Sequence, residues 1–188
     1  MEGDLANIAT VKRLFAEARE VSQSIDIVIN NAGVVIKKAF VEITEEEFDR
    51  AFDVNAKAAF FVMQEAAKNI ADNGRIINIG TTILGATIPY YSVYAGSKAP
   101  LEDFTRALAR EIGERGVTVN VIAPGPLDDS FYRDAETPES VARATQASVL
   151  HRLGKVEDIV PLVEFLASPG SQWITAQTLF INGGYLAR

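Results

Sequence analysis

Hydrophobic and polar positions along the chain switch repeatedly between a helical and a strand period. From about Ile8 to Ser22, Val11, Leu14, Phe15 and Ala18 fall on one face, which predicts an amphipathic helix. "IDIVINNAG" follows, a short β-branched run closed by Asn and Gly, so a strand and a turn. Thr44 opens "TEEEF" with Glu47 three residues on, the spacing of a capping box, and predicts a long helix to about Ala71. "NGRIINIGTT" reads as a turn and a second strand. A helix is expected from about Ser92 to Arg115, capped by Gly116. "VTVNVIAPGP" is a third strand stopped by Pro-Gly-Pro. Residues 128–149 are polar and read as loop, with a helix after Pro138. "KVEDIVPLVEFLAS" predicts another helix and "TLFINGG" the last strand.

Strands separated by helices imply parallel βαβ units. The fold class is therefore α/β, a Rossmann-like doubly wound parallel sheet. "IDIVIN" and "VTVNVIA" are nearly continuous apolar runs, as expected where both sheet faces are covered. Ligands of such sheets sit beyond the carboxyl ends of the strands. The strand exits here are Asn30–Gly33, Gly80–Thr82, Ala123–Leu127 and Asn182–Gly184, and the first turn of the Ser92 helix can face the same crevice.

Composition narrows the function. The 188 residues suffice for one domain with a real core, so residues 1–188 are read as a single domain. A net charge of −7 argues against nucleic acid and anionic membranes as partners. Absence of cysteine excludes disulfides and thiol catalysis, and a lone histidine, His151, argues against a histidine-based metal site, so no metal is expected. "MEGDLANIATVKRLFAEARE" is charged and periodic, unlike a signal peptide, and no apolar run reaches the length of a membrane span, so the expected location is cytoplasmic.

The chemistry concentrates in "PYYSVYAGSKA". On one helix, Tyr94 and Lys98 share a face with Cβ atoms about 5–6 Å apart. A free phenol has a pKa of about 10, and a fixed cation beside it favours the phenolate and lowers that value. The spacing suits a tuned acid–base tyrosine. It equally suits a surface helix that carries both residues, and the pair alone does not decide.

Other residues do. "NNAG" at Asn30–Gly33, "FDVN" ending at Asn55, the Tyr-x-x-x-Lys of Tyr94 and Lys98, "NVIAPGP" at Asn120–Pro126 and the segment from "GKVEDIVPLVEFLAS" to "FINGG" occur in order. Together they resemble the short-chain dehydrogenase/reductase family, in particular its 3-oxoacyl-acyl-carrier-protein-reductase-like members. The resemblance covers essentially the whole chain. It implies an oxidoreductase that interconverts a ketone and a secondary alcohol with NAD or NADP, acts on a small carbonyl substrate and forms a homo-oligomer, a dimer or tetramer. Tyr94 would be the acid–base. Lys98 would lower its pKa and bind the nicotinamide ribose. Asn55 would hold a water relay to Lys98. Asn31, Ala32 and Gly33, and Pro124, Gly125, Pro126 and Leu127, would lie along the cofactor with Tyr94 and Lys98. Asp4 and Leu5 would lie near its adenine.

The sequence departs from the family pattern in places. The usual serine thirteen positions before the tyrosine is Thr81, with Thr82 beside it. A threonine hydroxyl can make the same hydrogen bonds, and the count favours Thr81. Where the family has a threonine after "PGP", this chain offers Asp129 and Ser130. No Gly-x-x-x-Gly-x-Gly segment occurs, so the resemblance implies a sheet truncated at its N-terminal side, without the usual pyrophosphate cradle. It also implies that "IDIVIN" becomes an unpaired edge prone to association. The alternative is a catalytically inactive remnant that acts only through assembly.

Overall fold

The computed structural model of the protein describes residues 3–187. Its elements in chain order are α1 (Ile8–Val21), β1 (Ile25–Asn30), α2 (Glu45–Phe52), α3 (Ala59–Asn69), β2 (Ile70–Ile79), α4 (Ser92–Lys98), α5 (Pro100–Ile112), β3 (Thr118–Pro124), α6 (Ser130–Arg133), α7 (Pro138–Ala147), α8 (Val156–Ala167) and β4 (Thr178–Ile181). Among the described residues the strands form one sheet in the order β1-β2-β3-β4, with every pair parallel. Successive side chains on a strand point to opposite faces. On β2, Ile76 accordingly faces the helix layer of α1, α3 and α5, where Val11, Phe15, Val62, Met63, Ala66 and Ala109 are buried. Ile77 faces α8, against Ile159 and Leu166. Helices thus cover both faces of the central strands, the α/β arrangement expected. Burying each such side chain stabilises the fold by about 1.5–3 kcal/mol.

Local signals explain the helix ends. Asn7 caps α1 through Ala9 N. The Thr44–Glu47 capping box forms in both directions at α2. Gly116 ends the α5 region at φ 71°, a left-handed value that glycine adopts without a Cβ penalty.

Four details differ from expectation. The helix begun at Glu45 passes through a π turn, Asp53–Ala58, before continuing as α3. It stops at Asn69, because Ile70 is already extended and pairs with Ile25; the register then shifts before Ile27 meets Arg75. The expected helix from Ser92 is divided at Pro100, which has no N–H to continue the ladder. The 128–149 region contains α6 as well as α7, since Asp129 accepts from Tyr132 N and starts a turn of helix.

The fifth difference concerns β1. Its Val28 joins the core, but Ile27 and Ile29 on the opposite face are 45% and 48% exposed. β3 is buried on both faces, whereas β1 is covered on one; its place at the sheet edge is the one expected for "IDIVIN".

Candidate active site

The carboxyl ends of the strands bring most of the predicted residues together. α4 follows the β2 exit by a short loop, so its inward face carries Tyr94 and Lys98 into that edge, and both are buried. The Lys98 ammonium donates to Ile79 O at 2.9 Å, at the end of β2. The Thr81 hydroxyl accepts from Ile83 N at 3.3 Å, and Thr81 also acts on the Tyr94 phenol, drawing its pKa downward. Thr82 turns the other way: it donates to Ala123 O at 2.9 Å and accepts from Asn182 Nδ2 at 3.3 Å. The two threonines therefore divide into one beside the tyrosine and one tying β2 to β3 and β4.

Asn55 sits in the π turn and is fully buried. The wider turn aims its amide at the loop after β1. Its Oδ1 accepts from Val34 N at 2.9 Å, and its Nδ2 donates to Val34 O at 2.8 Å and to Ser97 Oγ at 2.9 Å. Ser97 in turn donates to Tyr94 O at 2.9 Å. Sequence reasoning passed over Ser97; its signal was a small hydroxyl three residues after the tyrosine, on the same buried helix face.

Gly33 is where the backbone comes closest. A Cβ there would lie 3.1 Å from Lys98 Nζ and 3.2 Å from Asn55 Oδ1. Asn31 and Ala32 beside it are exposed. Across the edge, Gly125 N donates to Ile181 O at 3.1 Å, and a Cβ on Gly125 would overlap Asn182. Pro126 O accepts from Gly154 N, and Leu127 bridges to Gly154, so residues 124–127 are held as a rigid rim. Asp4 is exposed and paired with Arg50 at 2.9 Å, and the Ala6 amide, with Arg50 second, holds its carboxyl below the usual range. The Leu5 side chain packs on the core. Asp4 and Leu5 lie on the segment leading into α1, apart from the tyrosine.

Two electrostatic findings change the expected picture. Burial pushes the Tyr94 phenol above its ordinary pKa, and Thr81 only partly offsets this. Lys98 is not among the causes of the Tyr94 shift, and burial brings its own pKa down to about 8. At neutral pH the tyrosine is a phenol and the lysine is still mostly an ammonium.

Aromatic rings flank the phenol. Tyr91 is buried with its ring edge-on at 5.9 Å from Tyr94, and Phe131 of α6 lies at 6.5 Å. Tyr90 points largely to solvent from a strained left-handed backbone at φ 72°. His151 is exposed in a turn before α8. Among the described residues no group of histidine, cysteine or carboxylate side chains could hold a metal, and no helix is long and apolar enough to cross a membrane.

A family model described as enoyl-(acyl carrier protein) reductase matches residues 1–186. A short-chain type dehydrogenase/reductase of Picea abies is 40% identical over 187 residues, covering 97% of this chain and 69% of the relative. An Arabidopsis thaliana protein described as NADPH-dependent aldehyde reductase-like and chloroplastic is 34% identical, with 99% of this chain and 71% of that one covered. A Burkholderia cenocepacia protein solved with bound NADP superposes with a TM-score of 0.96 at 42% identity, covering all of this chain and 72% of that one. The architecture, the Tyr-x-x-x-Lys helix and these likenesses agree, and the chain belongs to the short-chain dehydrogenase/reductase family of oxidoreductases.

Proposed function

We propose that the chain interconverts a ketone and a secondary alcohol with NAD or NADP, and that Tyr94 is the acid–base. The observation that carries this reading is the Tyr94 phenol buried at the carboxyl edge of the sheet, with the Lys98 ammonium one helical turn away on the end of β2. A phenol held above its ordinary pKa keeps its proton at neutral pH, which suits donation to a developing alkoxide and so the reductive direction. Thr81 lies beside the phenol and orients the carbonyl oxygen toward it.

The residues present fit a nicotinamide cofactor. Gly33 leaves a gap that a Cβ would fill beside Lys98 and Asn55, so a ligand can pass close to the backbone there. An ammonium has three donors, and one goes to Ile79 O; the others are available for ribose hydroxyls. Asn31–Gly33 and Pro124–Leu127 form the two rims, with Asp4 and Leu5 on the adenine side. The cofactor supplies the hydride. Asn55 fixes the Val34 loop and, through Ser97, the tyrosine helix; its Oδ1 retains a lone pair that a water leading to Lys98 can use.

The homo-oligomer has support in an apolar side chain left at the surface of α3. Phe60 on α3 is part-exposed and stacks edge-on with Phe104 of α5 at 5.1 Å.

The test is oxidation of NADPH or NADH by the protein with a panel of aliphatic and aromatic ketones, repeated with Tyr94→Phe. Loss of turnover by at least about a hundredfold with an unchanged circular dichroism spectrum is expected. Turnover near wild type in Tyr94→Phe would overturn the assignment.

A further inference from the structure

Glu136 lies between α6 and α7, in a polar stretch at the surface, yet its side chain is only 3% exposed. Three elements converge on its carboxylate. The Lys37 ammonium, from the loop after β1, donates to Oε2 at 2.5 Å. The Tyr91 hydroxyl, from the turn entering α4, donates to Oε1. The Ser140 hydroxyl, in the first turn of α7, donates to Oε2. Lys37 Nζ also stands 5.4 Å over the Tyr91 ring, within cation–π range. Behind this group, Lys38 N donates to Tyr90 O at 2.8 Å and joins the same loop to the same turn.

A carboxylate is expensive to bury unless each charge and lone pair is met. Here a cation and two hydroxyls meet it, and they hold Glu136 below the usual carboxylate pKa despite the burial that opposes this. Burial, and after it the same contact, pushes the Tyr91 phenol upward. Of the groups that hold the 128–149 segment against the rest of the site, this one carries a buried ion pair. Tyr91 connects it to the chemistry, since the ring bound by Glu136 is the ring that packs edge-on against Tyr94. Phe131, on the same segment, meets Tyr94 from another side.

We propose that Glu136 is a positioning residue: with Lys37 and Tyr91 it clasps the 128–149 segment onto the site, so that Tyr91 and Phe131 wall the Tyr94 phenol. The clasp neutralises Lys37, so the wall it builds is apolar and uncharged and favours an apolar carbonyl substrate over an anionic one. The proposal rests on reading Tyr94 as the acid–base, and its test does not use turnover.

The full chain is compared with Glu136→Ala, Glu136→Gln and Lys37→Met. Amide hydrogen exchange is followed in residues 130–147, and nitration of Tyr94 by tetranitromethane is followed by peptide mass spectrometry. In Glu136→Ala and Lys37→Met, exchange in 130–147 and nitration of Tyr94 should both rise at least tenfold, with amides of α3 and α5 within twofold of wild type. Glu136→Gln keeps a hydrogen bond to Tyr91 without the charge and should lie between. Lys37 is on a loop, so that variant carries the test if Glu136→Ala does not fold. Exchange within twofold of wild type overturns the clasp. Faster exchange with unchanged Tyr94 nitration also overturns it, leaving only a structural staple. A Tyr94→Phe protein that retains turnover would sink the acid–base reading and leave these two measurements unaffected.

Discussion

Asn55 and Ser97 meet at 2.9 Å between the π turn and the tyrosine helix, and the same asparagine amide clamps both backbone polar groups of Val34. This one side chain joins the loop after β1 to α4. Truncation to alanine would strip Val34 N and Val34 O, both part-buried, of their partner and leave the buried Ser97 Oγ with Tyr94 O alone. Each buried unsatisfied group costs about 1–3 kcal/mol. Asn55→Ala should therefore lose about 2 kcal/mol in urea unfolding. A loss below about 0.5 kcal/mol would show that these bonds do not hold the site together.

The close approach at Gly33 makes a second expectation. A methyl group there must displace Lys98 Nζ or Asn55 Oδ1, both at the tight limit of contact. Gly33→Ala should weaken NADPH binding at least about tenfold, equivalent to about 1.4 kcal/mol, and leave the unfolding midpoint nearly unchanged. Titration calorimetry checks it, and wild-type affinity would mean that the cofactor passes elsewhere.

Much of this was legible in sequence, and the exceptions share a cause. The Thr44 capping box and the Gly116 cap are local signals read from neighbouring residues, and both form. The π turn was invisible because the extra residue per turn leaves the apolar pattern almost unchanged on either side of Asn55. β1 misled because an apolar run does not say whether a second layer covers it. The direction of the Tyr94 shift depends on burial by the assembled sheet edge, which i, i+4 spacing does not encode. Lys37 and Glu136 are 99 residues apart, and nothing local to either announces the other.

Thr81 and Thr82 give a paired prediction. Thr81 draws the Tyr94 pKa downward, whereas Thr82 is buried and bonds Ala123 O and Asn182. Thr81→Val should reduce turnover by about 10–100-fold with little change in stability, as expected on losing one polar contact to the reacting oxygen. Thr82→Val should instead cost about 1–2 kcal/mol of stability through the unpaired Ala123 carbonyl, with the remaining folded protein still active. Steady-state rates alongside urea midpoints separate the two, and the reverse pattern would assign the catalytic hydroxyl to Thr82.

The buried Lys98 makes stability depend on pH with a defined sign. Its folded pKa is about 8, against an ordinary lysine value of 10.5. Below about pH 8 the group is charged in both states, and the native state bears the full penalty of burying an ammonium. Between about pH 8 and 10.5 folding releases a proton, so stability from this group rises with pH. The gain from pH 7 to 9.5 should be about 2 kcal/mol. Lys98→Met carries no such charge and should not show it. The tyrosines oppose the trend, since their raised values favour the native state until unfolded phenols begin to ionise near pH 10, but they are present in both proteins and cancel in the difference. Urea unfolding of the two proteins from pH 7 to 9.5 should therefore show the wild type gaining on the variant. Parallel stability curves would mean that the Lys98 ammonium is hydrated, and that its bond to Ile79 O does not describe the folded protein in solution.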